Sequence, residues 1–115
     1  MSDTNINAED RAVLCGASFY SKKYYLNEAF AGLPKAIKDE LKITCVLFTE
    51  EMGGTIQLVF EEDGELYIMT DANENDFNYD EIGSALKVKE LQRKKSELFE
   101  QLEMYYKVFF LGEDQ

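Results

Sequence analysis

The spacing of apolar residues changes period along this chain, and each change predicts a different element. From Ala8, the run Ala12, Val13, Leu14, Cys15, followed by Phe19 and Tyr20, fits a helix entered through Asn7. Glu9 and Asp10 would stand in its first turn, where carboxylates complement the helix dipole and Asn7 can cap free amides. Gly16 weakens that helix, and Tyr24-Tyr25-Leu26 reads equally well as a short strand. Gly32-Leu33-Pro34 punctuates the chain, and Pro34 suits the start of a second helix. The apolar positions Leu33, Ile37 and Leu41 recur every four residues, which predicts about two turns.

The period then shortens to two. Ile43 to Thr49 reads as a strand whose triplet Val46-Leu47-Phe48 is apolar on both faces, as a central strand requires. In Thr55 to Glu61, Ile56, Leu58 and Phe60 share one face. Asp63-Gly64 predicts a type I′ hairpin turn into Glu65–Thr70, with Leu66 and Ile68 inward. Residues 71–80 form a polar loop, and Asn78 with Glu81 resembles a capping box. From Asp80 to Phe110 one helix of roughly 45 Å is expected, with Leu91, Leu98, Leu102, Tyr105 and Phe109 as its stripe. Glu90 with Lys94 and Glu103 with Lys107 would support it at i,i+4, and Gly112 would end it. The fold class predicted is α+β: N-terminal helices, a three-stranded antiparallel meander and a long C-terminal helix. It forms one domain over residues 8–112 behind a loose tail of residues 1–7.

Composition narrows the picture. A chain of 115 residues is one domain's worth, and 45% hydrophobic residues argue against disorder. No run approaches a membrane span, and the polar first residues lack the features of a signal peptide, so a cytoplasmic protein is expected. Cys15 and Cys45 form no Cys-x-x-Cys pair and read as two buried thiols of a reducing compartment, with a disulfide or redox pair as the alternative. Histidine is absent, which removes the commonest general base and transition-metal ligand. The net charge of −11 resides in residues 43–86, which hold eleven acids and no Lys or Arg. Both flanks balance, six acids against six bases each. A field of that sign repels nucleic acid and anionic membranes, so neither is an expected partner.

Candidate chemistry is sparse. Asp71, Asn73 and Asn75 match the first three ligand positions of an EF-hand loop, but Asp76 stands where the turn needs Gly. Position twelve is Ile82, with Glu81 out of register. The carboxylate groups Glu50-Glu51, Glu61-Glu62-Asp63 and Asp80-Glu81 fall at predicted strand ends and turns, where solvation is the ordinary state. Nucleophile-elbow and phosphate-loop motifs are missing. No catalytic, cofactor-binding or metal site is therefore expected. The basic run Lys87, Lys89, Arg93, Lys94, Lys95 reads as a solvated helix face, as a partner of the acidic segment, or as a contact for an anion. Lys95 interrupts the apolar stripe between Leu91 and Leu98, where it either snorkels or sets the register of a paired helix. Phe19, Tyr20, Tyr24 and Tyr25 near one end, with Tyr105, Tyr106, Phe109 and Phe110 near the other, suggest packing between first and last helices. Their excess over one helix face argues for self-association.

The stretches Gly32–Lys42 through Glu50–Gly54, and Lys89–Leu91 to Tyr105–Gly112, resemble a family of small acidic proteins of unknown function from anaerobic gut Firmicutes. The resemblance implies a bacterial cytoplasmic protein and assigns no activity to any residue. The expected function is a non-enzymatic interaction or regulatory module, a homodimer that uses the aromatic-rich last helix and the acidic sheet edge, with a cationic protein as the natural further partner. A small-ligand sensor and an acidic nucleic-acid-mimicking inhibitor are the alternatives.

Overall fold

The computed structural model describes residues 12–113. The expected tail over 1–7, and the helix start at Asn7, Glu9 and Asp10, lie outside the described residues. Among those described, the chain runs β1 (Ala12–Ser18), β2 (Lys23–Leu26), a 3-10 turn (Glu28–Phe30), α1 (Lys35–Met52), β3 (Thr55–Phe60), β4 (Leu66–Asp71), α2 (Glu81–Lys94) and α3 (Ser96–Phe109). The class is α+β, but strands come first and the sheet has four antiparallel strands in the order β2-β1-β3-β4. The expected N-terminal helices and three-stranded meander are thereby corrected.

Three departures have physical causes. The segment read as a first helix is β1, the strand that joins the two hairpins, with β2 on one side and β3 on the other. A strand flanked on both sides is apolar at nearly every position, and a helix would have carried Gly16 in its interior at about 1 kcal/mol. The segment read as a strand over Ile43–Thr49 is instead the second half of α1. Leu41, Thr44, Cys45, Phe48 and Thr49 face the core at helical spacing, and no breaker interrupts the chain before Gly53 and Gly54, both at positive φ. The long C-terminal helix is two helices meeting at Lys95, whose φ of −106° and ψ of 21° leave the helical region. That break turns Leu98, Phe99, Leu102 and Tyr106 of α3 into the core.

Other expectations survive in altered form. The β3–β4 hairpin pairs Phe60 with Leu66 and Thr55 with Asp71. Its turn is not type I′, because Gly64 alone takes positive φ there. The Gly64 amide donates to Glu61 O (2.9 Å), the arrangement of a three-residue loop closed by a left-handed glycine. Helix α2 is capped by Asp80, whose Oδ1 accepts from the Gly83 amide at 2.9 Å, rather than by Asn78. Glu90 pairs with Lys94 at 2.8 Å as expected. Glu103 instead accepts the Leu66 amide of the edge strand β4 at 2.8 Å.

Helices α1 and α3 pack on one face of the sheet, and α2 joins that layer through Val88 and Leu91. The core joins Cys15, Ala17, Ile56, Leu58 and Phe60 to Leu41, Cys45 and Phe48 of α1 and to Leu98, Leu102 and Tyr106 of α3. Phe60 and Tyr106 stack at 4.2 Å between centroids, and Phe30 stacks on both Phe60 (5.5 Å) and Phe110 (4.7 Å). A bulge between Val13 and Cys15 lets the consecutive residues Leu14 and Cys15 both enter this core. Buried Asn27 serves the bulge. Its amide nitrogen donates to Val13 O (2.7 Å), its backbone N–H donates to Leu14 O (2.9 Å), and its Oδ1 accepts the Ala29 amide (3.0 Å). Replacing it strands a carbonyl and an amide, so Asn27→Ala should cost about 1–3 kcal/mol in urea unfolding; a loss of a few tenths would show the bulge to be held otherwise.

Candidate functional site

The residues singled out from sequence are brought together only in part. In the 71–81 loop three carboxylates are engaged, those of Asp71, Asp76 and Asp80. Asp76 Oδ2 accepts from the Tyr20 hydroxyl at 2.6 Å, and that hydroxyl in turn accepts the Asn73 amide at 2.9 Å. Asp71 Oδ1 accepts the Ala72 amide, and Asp80 caps α2. The hydrogen bond to Asp76 holds the Tyr20 phenol above its ordinary pKa. Among the described residues, no three His, Cys, Asp or Glu side chains stand together as a metal-binding group. Glu50 and Glu51 end α1, and Glu61, Glu62 and Asp63 surround the hairpin turn, so the acidic third of the chain is dispersed over several elements.

Cys15 on β1 and Cys45 on α1 are both fully buried free thiols, with Sγ atoms 3.9 Å apart. Cys45 was expected in a strand and stands in a helix. Its contact with Cys15 and its burial push its thiol pKa upward, which keeps it out of the reactive thiolate form.

The basic run divides. Lys87 bridges Glu51 (3.1 Å) and Glu90 (3.3 Å), Lys94 joins Glu90, and Lys95 reaches Glu40 at 3.0 Å. These contacts set α1 and α2 side by side and antiparallel, because the end of α1 meets the middle of α2 and its start meets the α2 terminus. Lys89 and Arg93 point away from the core with no partner among the described residues. The aromatics divide likewise. Tyr106 and Phe110 join the Phe30–Phe60 stack, while Phe109 remains 70% exposed.

Besides Phe77 (89%) in the 71–81 loop and Met104, Phe109 and Phe110 toward the end of α3, two other surfaces of the described residues stand exposed. The helical layer presents Ile43 (57%) and Leu47 (61%) on α1, and Ile82 (77%) and Leu86 (64%) on α2. Each pair is spaced i,i+4 on the side away from the sheet. Behind the sheet, the register places Lys23, Ser18, Thr55 and Asp71 in one cross-strand row, and Tyr25, Gly16, Gln57 and Met69 in the next. No described helix covers this second face. A hollow of about 600 Å³ lies over it. Tyr25 lies flat across Gly16, so that a Cβ there would come within 2.9 Å of the tyrosine ring and 2.8 Å of the Ile56 carbonyl. Gln57 Nε2 donates to the Tyr25 hydroxyl at 2.6 Å, and burial raises the pKa of that phenol.

The sequence reading missed this cluster. A glycine inside an apolar run is a signal of close approach once the run is known to be a strand, but it was weighed only as a flaw in a helix.

A family model matches residues 11–114, nearly the whole chain. The chain belongs to DUF6145, a family of unknown function. No curated protein and no solved structure matches it. The expected likeness to a family without assigned activity holds at that level, and it lends no role to any residue of either surface. No helix among the described residues is long and apolar enough to cross a membrane.

Two outcomes follow from this geometry. Gly16→Ala should destabilise the fold by about 1–3 kcal/mol in chemical denaturation, since the backbone carbonyl of Ile56 cannot swing aside; near-wild-type stability would show that Ile56 O does not crowd Gly16. The Lys94 and Lys87 contacts hold the Glu90 carboxyl below its ordinary pKa. Its contribution is therefore present above the usual glutamate range and disappears as pH falls through the lowered value. The Tm gap between wild type and Glu90→Gln should be open at neutral pH and close in acid, and a gap independent of pH would contradict the assignment.

Proposed function

We propose that this protein is a non-enzymatic interaction module that works as a homodimer, joined through the outward faces of α1 and α2. The observation that carries this reading is the set of four large aliphatic side chains left to solvent at helical spacing, Ile43, Leu47, Ile82 and Leu86. Soluble monomers seldom line up apolar residues in this way, and such patches mark sites of association. A second copy is the occupant that the surrounding charges favour. On α1 the apolar pair lies between Asp39 and Glu50, which pair with Lys35 (2.7 Å) and Lys22 (3.9 Å), and on α2 it is followed by Lys89 and Arg93, which have no partner among the described residues. Because α1 and α2 are antiparallel neighbours, a two-fold axis along them lays α1 of one copy over α2 of the other. Lys89 and Arg93 of each copy then lie along the partner's α1, between Asp39 and Glu50, twice over.

The non-enzymatic part rests on what the functional groups already do. Loop carboxylates cap backbone amides or hold Tyr20, and the thiols are buried against each other. Two buried reduced thiols also support a cytoplasmic location, and the resemblance noted above supports a bacterial one, in gut Firmicutes.

Light scattering on a sizing column should give twice the 13.3 kDa chain mass at micromolar concentration. Leu47→Glu should return the monomer and Arg93→Glu should weaken the dimer, while Phe109→Ser, at the far end of α3, leaves it intact. A wild-type monomer at high concentration, or a dimer indifferent to Leu47→Glu, would sink the proposal.

A further inference from the structure

The opposite side of the molecule carries a second, independent feature. The hollow over the sheet face that no described helix covers is floored by two small hydroxyl residues, Ser18 and Thr55, on the two central strands. At its ends stand a cation and a carboxylate, Lys23 on the edge strand β2 and Asp71 on the edge strand β4. The two share one cross-strand row. Three inter-strand spacings of about 4.8 Å put their Cα atoms roughly 14 Å apart, too far for them to neutralise each other. Neither has an ion-pair partner among the described residues, and Asp71 keeps Oδ2 uncommitted beside the bond its Oδ1 makes to Ala72.

Along one side of the floor lies a fixed polar pair. Gln57 spends its amide N–H on the Tyr25 hydroxyl at 2.6 Å, so its Oε1 is left as an acceptor and the Tyr25 proton as a donor. Gly16 fixes this pair, because only a residue without a side chain lets the Tyr25 ring settle on the strand. The result is a rigid strip with a positive end, a negative end, and one donor and one acceptor between them. The Tyr25 ring adds apolar surface.

We propose that this hollow is a binding site for a short zwitterionic peptide. About three residues in extended form, at 3.3–3.6 Å each, span the interval that the two charged side chains leave between them. The peptide carboxylate lies toward Lys23 with the Ser18 hydroxyl beside it, and the terminal ammonium lies toward Asp71. A backbone N–H of the peptide meets Gln57 Oε1, and a central apolar side chain rests on the Tyr25 ring. A dianion or a dication would place a like charge against one end, and a neutral ligand would leave both ends unsatisfied.

The test is a titration of the full-length protein with the tripeptide Ala-Phe-Ala, followed by amide chemical shifts. The N-acetylated and C-amidated forms are titrated alongside. Saturable shifts are expected on all four strands, and blocking either end should weaken binding by about two- to fivefold, the size that exposed charge pairs support. Lys23→Met should abolish the penalty of C-amidation and leave that of N-acetylation. Asp71→Asn should do the reverse. Both positions are exposed, so folding is not at stake, and unchanged dispersion of the spectrum verifies it. No saturation into the millimolar range would overturn the proposal, as would binding blind to both blocked ends or to both substitutions. The Leu47→Glu variant should bind the peptide as the wild type does, which separates this site from the dimer face.

Discussion

The pairing of β1 with β3 is the contact on which the rest depends. Without it the molecule would hold two separate hairpins, β1–β2 and β3–β4, and an isolated hairpin is marginal in water. Joined, they present one apolar face wide enough for α1 and α3 to bury, and a second face with its own pattern. The bulge at Leu14 tunes that junction by sending two neighbouring residues into the core, and Asn27 satisfies the backbone groups that the bulge displaces.

Charge is used locally. The acidity of residues 43–86 suggests a single field, but the fold scatters those carboxylates among a helix end, a hairpin turn and a capped loop. Among the described residues one downstream base meets them, Lys87 at Glu51, while Lys95 crosses to Glu40 on the start of α1. What reads in one dimension as a polarised chain becomes, in three, a clasp that aligns α1 with α2. Lys95 is the clearest case. Its place in the gap of the apolar stripe was visible, and the gap proves to be the junction between two helices rather than a seam within one.

The two faces left over are chemically unlike. The helical side offers aliphatic pairs ringed by charge, suited to another folded surface. The sheet side offers a recessed strip with a dipole across it, suited to a small extended ligand. Placing them on opposite sides allows one molecule to use both at once, since neither occupant would touch the other's residues.

Local signals decided several things in this chain. Asp63-Gly64 between alternating apolar runs specified the β3–β4 hairpin, Gly53-Gly54 marked a true end of structure, and Cys15 and Cys45 read as buried thiols. Each of these depends only on residues near in sequence, where turn chemistry and solubility act directly. Only the tertiary structure decided what needed distant partners. Ala12–Ser18 fits a helix or a strand until β2 and β3 are there to bond its backbone on both sides. Ile43–Thr49 fits both periods until the core shows which residues it buries, and the break at Lys95 has no proline or glycine to announce it. The open-face strip lay deepest out of reach. Lys23, Ser18, Thr55 and Asp71 become neighbours only through strand register, and register is a property of the sheet, not of any one segment.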